Sequence, residues 1–298
     1  MKMKSAKIDE NVFQVINTIA FTLILLVCLY PFYSILIISL SDAKLAAKYP
    51  VIFYPLGFTL KNYMEVIRLK GLYLAFAVSV ARTVSGTAIT LFFTSMLAYT
   101  LTKSELVGRK IFYRITVTSM YLNAGLIPWY LTMRNLHLKD NFLLYILPSA
   151  VSVFSMILIK TYIEQISPAL EESALVDGAG YFTIFLRIVV PVSTPVLAAV
   201  TVFTAVGQWN TWMDNLLLVN NHNLTTLQLL LFNYLRQAEA IVSAAKSNGG
   251  NMLSTGYSIS PFSIRMTVTM IVTLPILLVY PVVQKYFVSG IMLGAVKG

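Results

Sequence analysis

Six segments of this chain contain no Asp, Glu, Lys or Arg and are long enough to cross a membrane as helices. Asn11–Ser41 has 31 such residues, Ile188–Met213 has 26, and the other four have 19 or 20 each. A helix needs about 20 predominantly apolar residues to span the hydrocarbon core. We therefore predict one all-α polytopic membrane domain over residues 1–298, with both termini on the same side. The predicted spans cover approximately residues 12–40, 72–102, 112–133, 142–162, 188–213 and 266–286.

A seventh charge-free window, Asn215–Leu235, is too polar to be a seventh span. It contains Asn220, Asn221, His222, Asn223 and two threonines. We interpret it as the start of an extracytoplasmic loop over residues 218–264, with short helical parts.

Composition supports a membrane protein and excludes several other classes. The chain is 57% hydrophobic and 11% charged, with a mean hydropathy of +0.76, whereas soluble domains carry about 25% charged residues. A soluble enzyme, a disordered chain and a nucleic-acid-binding domain are therefore excluded. The net charge of +10 does not decide the orientation, because 11 basic residues fall on the side of the N-terminus and 10 on the other.

The loop between the fourth and fifth spans has the pattern of a short amphipathic helix over residues 168–180. Ser167 can cap free N–H groups, and Pro168 suits the first helical position. Glu171 and Glu172 fall in the early turns, where the helix dipole favours negative charge. Gly178 can end the helix. From these properties alone, an ordinary solvated connecting helix explains the segment equally well.

The spacing within this loop is more specific. Glu172, Ala174 and Gly178 are followed by nine residues and then by Ile188 and Pro191. This order resembles the EAA signature of permease subunits of bacterial ATP-binding-cassette (ABC) importers. Ser173 and Val190 depart from that signature, which has Ala and Leu there. The run from Gln284 to Gly298 is similar to the tail of MalG-like sugar permeases. The runs 123–130 and 207–214 resemble the LplC/YtcP-type polysaccharide permeases.

This resemblance implies a type I ABC importer permease in the bacterial cytoplasmic membrane, with the N-terminus, EAA loop and C-terminus in the cytoplasm. It implies four kinds of partner: a second homologous permease, two ATPase subunits, an extracytoplasmic solute-binding protein and a carbohydrate substrate. The tail after Tyr286 is expected near the ATPase interface. The EAA helix would couple to the ATPase through a set of residues in this loop. These are Glu171, Glu172, Ser173, Ala174, Asp177, Gly178 and Pro191.

We predict no enzymatic activity, cofactor or metal site in this chain. It has no Gly-x-x-x-x-Gly-Lys-Ser/Thr phosphate loop, so ATP and Mg²⁺ are expected on the partner ATPase. The single cysteine, Cys28, lies in an apolar run and is interpreted as a small buried hydrophobe. His137 and His222 fall in predicted outer loops.

Sugar contacts are predicted from aromatic, amide and carboxylate side chains near the outer ends of the third and fifth spans. The candidates are Tyr121, Asn123, Trp209, Asn210, Trp212, Asp214 and Asn215. Trp129 and Tyr130 fit this set or an interfacial aromatic belt. Arg82, a cation inside a predicted span, has three interpretations: it lines the pathway, pairs with a partner subunit, or extends its side chain to the outer surface.

Three other functions compete with sugar import through an ABC system. A membrane glycosyl or lipid transferase needs clustered acidic and His residues, and Glu171, Glu172 and Asp177 have no His nearby in sequence. A secondary transporter needs paired ionisable groups at mid-membrane and internal repeats, and we see neither pattern. An ABC permease for a solute other than a sugar remains open.

Overall fold

The computed structural model describes residues 2–69, 71–247 and 262–278, and within these ranges the regular structure is helical, without strands. The first helices are α1 (Lys2–Ser39), α2 (Ala43–Lys48), α3 (Lys61–Ile67), α4 (Leu72–Thr100), α5 (Arg109–Ser119), α6 (Leu126–Asn135) and α7 (Val153–Ile163). They are followed by α8 (Pro168–Val176), α9 (Tyr181–Val192), α10 (Thr194–Asn210), α11 (Met213–Leu218), α12 (Leu227–Ser247) and α13 (Phe262–Leu278). Short 3₁₀ turns lie at Phe142–Tyr145, Leu147–Ser149 and His222–Leu224.

Two helices in the described ranges are long and apolar enough to cross a membrane: Val12–Ser39 of α1, and α4. Two bent pairs bring the number to four if each pair counts as one span. The first pair joins Phe142–Ser149 to α7 at an angle of 48°. The second joins α9 to α10 at 83°. An all-α fold with apolar spans is therefore confirmed, and the number of six remains a prediction.

The third predicted span is not one helix. Residues 112–133 are divided between α5 and α6, with non-helical backbone between them. The Asn123 side chain accepts a hydrogen bond from the Gly125 amide at 2.9 Å, and Gly125 has a φ of +81°. A side-chain turn followed by a left-handed glycine stops helix propagation.

The fifth predicted span also differs from its expected bounds. The chain is helical before residue 188, contains a π turn at Phe185–Val189, and bends at Ser193. Pro191 lies in the last turn of α9, whereas α10 begins at Thr194 and has a proline in its first turn. A proline cannot donate the i→i−4 hydrogen bond, which explains why the helix is broken here.

An apolar core surrounds the C-terminal end of α4. Tyr99 of α4 packs with Met156 of α7, Ile184 and Phe185 of α9, and Val200 of α10. Thr90 inside α4 donates its hydroxyl to Gly86 O at 2.8 Å, whereas the buried Thr87 hydroxyl has no hydrogen-bond partner within the described residues. α4 is therefore the central helix of this part of the molecule, and both sites described below are built on it.

The chain divides into two compact units: Met1–Leu69 with Asn233–Thr273, and Lys70–Phe232 with Leu274–Gly298. In the first unit, the amide of Asn62 donates to the carbonyls of Ser39 and Ser41 at 2.9 and 2.8 Å, which fixes α3 against the end of α1. Cys28 on α1 is exposed in this structure, and our expectation of burial is wrong for the isolated chain.

Two predicted segments are described only in part. The 218–264 loop contains a longer helix than expected, α12, and residues 248–261 lie outside the described ranges. The last predicted span corresponds to α13 up to Leu278. The C-terminal run from Gln284 to Gly298 lies outside the described residues.

Candidate functional site

The segment with the EAA pattern forms α8, which is shorter than the predicted 168–180. Pro168 takes the first helical position, and Gly178, with φ +81°, follows the helix end as expected. The Ser167 side chain does not cap the helix; its carbonyl accepts instead from the Leu170 amide at 3.2 Å. The helix therefore begins as the sequence indicates but without the predicted side-chain cap.

The two adjacent glutamates of α8 have different environments. The Glu171 carboxylate accepts a hydrogen bond from the Tyr99 hydroxyl at 2.6 Å and forms an ion pair with the Lys103 ammonium. The ammonium also lies 4.0 Å from the centroid of the Tyr99 ring. We call these three residues the Glu171 cluster. Glu172 is exposed and contacts no charged or hydrogen-bonding partner within the described chain.

The other residues of the EAA set also divide between two faces. Ala174 is half-buried and packs against the apolar core. Ser173, Asp177 and Gly178 are exposed, as is Pro191 at the end of α9. Two apolar side chains that were not in the predicted set, Leu175 and Val176, are 41% and 88% exposed. The outward face of α8 is therefore apolar with acidic residues beside it.

A cavity of about 360 Å³ lies beside α8. Lys103, Glu105, Glu171, Glu172 and Tyr181 contribute its polar lining. Glu105 lies in the loop after α4, where its own backbone amide and the Ser104 hydroxyl lower the pKa of its carboxyl from 4.5. The mouth of this cavity is therefore acidic, with Lys103 as a partly buried cation.

A second ionic site is buried in the middle of α4. The Arg82 guanidinium makes two parallel hydrogen bonds to the Asp214 carboxylate, at 3.1 and 2.6 Å. It also donates to Gln208 Oε1 at 3.1 Å and lies over the Tyr145 ring, 4.6 Å from the centroid. We call Arg82, Asp214, Gln208 and Tyr145 the Arg82 cluster. Both charged side chains are less than 10% exposed.

This geometry answers the question left open for Arg82. Its partner is a carboxylate of the same chain, and its side chain does not extend to the surface. Gln208 Nε2 continues the cluster by donating to Ser149 Oγ at 2.6 Å. The Arg82 cluster thereby links α4 to the 3₁₀ turns at 142–149, to α10 and to α11.

A cavity of about 640 Å³ opens beside the Arg82 cluster. Four aromatic side chains line it: Trp129, Tyr145, Phe154 and Phe203. Hydroxyl-bearing residues, together with Arg82, Gln208 and Asp214, supply polar groups. Aromatic walls with a few convergent polar groups are typical of small-molecule sites.

Of the seven residues predicted to contact substrate, Asp214 lines this cavity and the other six do not. Trp209 contacts the edge of Phe76 in a separate apolar cavity. Trp212 stacks on Phe232, with ring centroids 4.1 Å apart.

The remaining four predicted contacts are amides and one tyrosine. Asn215 is fully buried; its side chain donates to the Tyr145 hydroxyl at 2.6 Å and accepts from the Thr226 amide at 2.9 Å. Asn210 accepts from Gln228 at 3.1 Å. Tyr121 and Asn123 are exposed in the break between α5 and α6. The seven residues therefore do not form one site in this structure.

Comparison with known proteins decides the family. The chain is 35% identical over 273 residues to a Bacillus subtilis polygalacturonan/rhamnogalacturonan transport system permease protein, YtcP, covering 92% of this chain and 94% of the relative. It is 36% identical over 289 residues to B. subtilis protein LplC, covering 97% and 96%. No family model matches the chain. The chain belongs to the permeases of carbohydrate ABC transporters.

A solved structure agrees with this membership. A chain of a bacterial ABC transporter involved in the import of the acidic polysaccharide alginate matches this permease with a TM-score of 0.82 at 29% identity. The match covers 94% of this chain and 98% of the other. The permease is thus an integral membrane protein whose fold is that of ABC importer permeases.

Sequence reasoning missed several residues of the cavity in this permease. Gln208, Tyr145 and Ser149 are ordinary residues of apolar segments, and no spacing rule connects them to Arg82. One signal was available: a buried cation in a predicted span requires a counter-charge, and Asp214 is an acidic residue adjoining the fifth predicted span.

Proposed function

We propose that this permease is the membrane-spanning subunit of an ATP-driven importer that carries a carbohydrate into the cytoplasm by alternating access. α8 is the element that docks on a separate ATPase, and the 640 Å³ cavity is part of the sugar pathway. A second permease, two ATPase copies and a solute-binding protein complete the assembly, and the termini and α8 face the cytoplasm.

The observation that carries the docking role is the outward face of α8. Glu172, Leu175 and Val176 are exposed together on one face of α8, and the Glu171 cluster holds the helix about 100° around from Glu172. An apolar patch with a charged rim is characteristic of a protein–protein interface. In the EAA signature, Glu172 occupies the position of the glutamate, which agrees with an outward contact to a basic or polar groove.

The substrate class follows from the relatives and from the cavity. YtcP is named for transport of polygalacturonan and rhamnogalacturonan, and the matching structure for import of alginate. We propose that this permease carries an oligosaccharide fragment of such a polysaccharide. The aromatic walls of the cavity would pack on the C–H faces of a sugar ring, while hydroxyl and amide groups bind its oxygens.

Glu172→Lys tests the docking role. The reversed charge at the interface should reduce the ATPase that copurifies with the permease by at least about tenfold, the loss expected for one charge-assisted contact. Glu65→Lys, which reverses an exposed glutamate on α3, is the matched control and should retain the ATPase. Equal recovery of ATPase with both variants would refute the proposal.

Trp129→Ala tests the pathway. Removing this aromatic wall should lower the uptake of oligogalacturonate or oligoalginate into proteoliposomes, while the complex stays assembled. Trp212→Ala is the control, because its ring stacks on Phe232 outside this cavity. A larger loss of uptake with Trp212→Ala than with Trp129→Ala would place the pathway elsewhere.

A further inference from the structure

We infer that the two adjacent glutamates of α8 have separate roles, with Glu172 docking the ATPase and Glu171 acting as a positioning residue that fastens α8 to α4. This inference rests on the proposed function, because it divides the coupling task of that helix between two residues. The resemblance to the EAA signature places both glutamates in one coupling set, whereas their surroundings in the structure differ.

Glu171 is bonded to α4 and to the segment directly after it. Its carboxylate contacts both Tyr99, in the last turns of α4, and Lys103, three residues beyond the end of α4. Its side chain is 26% exposed and that of Lys103 is 17% exposed. Both bonds end on Oε1 of Glu171 and hold this carboxylate against α4, about 100° around the helix from Glu172.

Tyr99, the α4 residue that Glu171 contacts, is fixed inside the apolar core. Tyr99 is 4% exposed and packs in the apolar core with Phe185 of α9, at a ring-centroid distance of 5.6 Å. A displacement of α8 is therefore passed by Glu171 to a residue that is fixed inside the core. Without that contact, α8 is held only by the packing of Ala174 against the core and by the short segments at each of its ends.

α4 connects the Glu171 cluster to the Arg82 cluster. α4 continues as one unbroken helix from Tyr99 to Arg82, a distance of about 25 Å at 1.5 Å per residue. At Arg82 it is bonded to α11 through Asp214 and to α10 through Gln208. The Glu171 cluster and the Arg82 cluster thus lie on one rigid helix, which joins the docking helix to the wall of the 640 Å³ cavity.

The experiment compares Glu171→Gln with Glu172→Gln in the full complex. Spin labels are placed at Ala169→Cys on α8, an exposed position outside the docking face formed by Glu172, Leu175 and Val176, and at the exposed Ala88→Cys on α4, after the native Cys28 is replaced by Ser. Two quantities are measured: the ATPase that copurifies, and the distribution of label distances without nucleotide and with a non-hydrolysable ATP analogue.

We expect a crossed result. Glu171→Gln keeps the ATPase but widens the distance distribution, because α8 is no longer held to α4. In Glu172→Gln the distance distribution stays narrow, but the amount of copurified ATPase falls about tenfold, as expected when one charge-assisted contact is removed. The exchange of charges, Glu171→Lys with Lys103→Glu, restores the narrow distribution, because the Tyr99 hydroxyl can accept from a lysine as readily as it donates to a glutamate.

Two outcomes overturn the inference. One is a distribution in Glu171→Gln as narrow as in the wild type in both nucleotide states. The other is a loss of ATPase in Glu171→Gln equal to that in Glu172→Gln, which would assign both glutamates to docking. If the wild-type chain retained no ATPase at all, the proposed function would fail, yet the label distances in the permease alone would still test the role of Glu171.

Discussion

Two of the ion pairs in the described residues, Arg82–Asp214 and Lys103–Glu171, use a cation carried by α4 or its immediate extension, but their surroundings differ. Arg82 and Asp214 have side chains 4% and 9% exposed, and the guanidinium makes two hydrogen bonds to the carboxylate and two more to Gln208 and the Thr211 carbonyl. Lys103 and Glu171 are 17% and 26% exposed, and the ammonium adds contacts with the rings of Tyr99 and Tyr181, at 4.0 and 5.9 Å from their centroids.

Burial determines what each pair can do. Opening the Arg82 pair would leave an uncompensated charge among buried side chains, at a cost of several kcal/mol. Opening the Lys103 pair exposes both groups to water, which compensates most of the lost attraction. We therefore expect the Arg82 cluster to resist opening, whereas the Glu171 cluster can open and form again at a lower cost in free energy.

The largest expected effect comes from removing one partner of the buried pair. Arg82→Met leaves the Asp214 carboxylate without its cation and should destabilise the permease by about 3–5 kcal/mol. The measurement is the thermal unfolding midpoint and the monodisperse fraction of the purified chain. The double variant Arg82→Met with Asp214→Leu should recover most of the loss, since no charge is then stranded. A double variant less stable than Arg82→Met would contradict this account.

A smaller loss of stability is expected when a substitution crowds the Arg82 cluster without removing a charge. A Cβ on Gly86 would lie 2.6 Å from Gln208 Nε2. Gly86→Ala must therefore displace the Gln208 amide from both Arg82 and Ser149, and we expect a loss of about 1–3 kcal/mol, the range for overpacking. Thermal unfolding measures it against Gly207→Ala, whose Cβ would meet nothing within 4 Å. Equal stability of the two variants would show that Gln208 relocates freely.

Part of this fold could be predicted from the sequence. The spans around α1 and α4 followed from charge-free windows, and Gly178 ended α8 as its pattern indicated. The break in residues 112–133 was missed because a charge-free window is scored by polarity, while the helix is stopped by the conformation of Asn123 and Gly125.

The site was harder to predict than the spans, for a physical reason. The Arg82 cluster joins residues 132 positions apart in the chain, so no local spacing could pair them. The difference between Glu171 and Glu172 was invisible as well, because adjacent residues on a helix point about 100° apart and only the position of α4 decides which one is buried. The resemblance to the EAA signature located the helix but not its inward face.

The partly exposed pair should respond to salt where the buried one does not. A double-mutant cycle with Lys103→Met and Glu171→Gln should give a coupling energy of about 0.2–1 kcal/mol at low salt. At 1 M salt, where the screening length is about 3 Å, it should fall towards zero. The corresponding cycle with Arg82→Met and Asp214→Leu should keep its coupling energy at both salt concentrations. A salt-independent Lys103 cycle would mean that this pair is shielded from solvent like the buried one.

The smallest effect is expected at a carboxylate that is held mainly by backbone amides. Asp140, exposed in the loop before the fourth predicted span, accepts hydrogen bonds from the amides of Asn220 and Asn221, and these lower the pKa of its carboxyl from 3.8. The backbone donors favour the charged form, so the stabilisation is complete above about pH 5 and is lost as the pH falls through the lowered pKa. Hydrogen exchange of the amides of Asn220 and Asn221 between pH 3 and 6 measures it, after correction for intrinsic rates.

Asp140→Asn is the matched variant, because its side-chain oxygen can still accept a hydrogen bond but carries no charge. Its two amides should exchange faster than those of the wild type near pH 6 and approach wild-type behaviour as the pH falls below 3.8. Protection that is independent of pH in the wild type would show that loop packing around Leu218 and Asn220, rather than the Asp140 charge, holds these loops together. Burial alone would then explain the difference between the two ion pairs, because an exposed carboxylate would add no measurable stability even with well-placed amide donors.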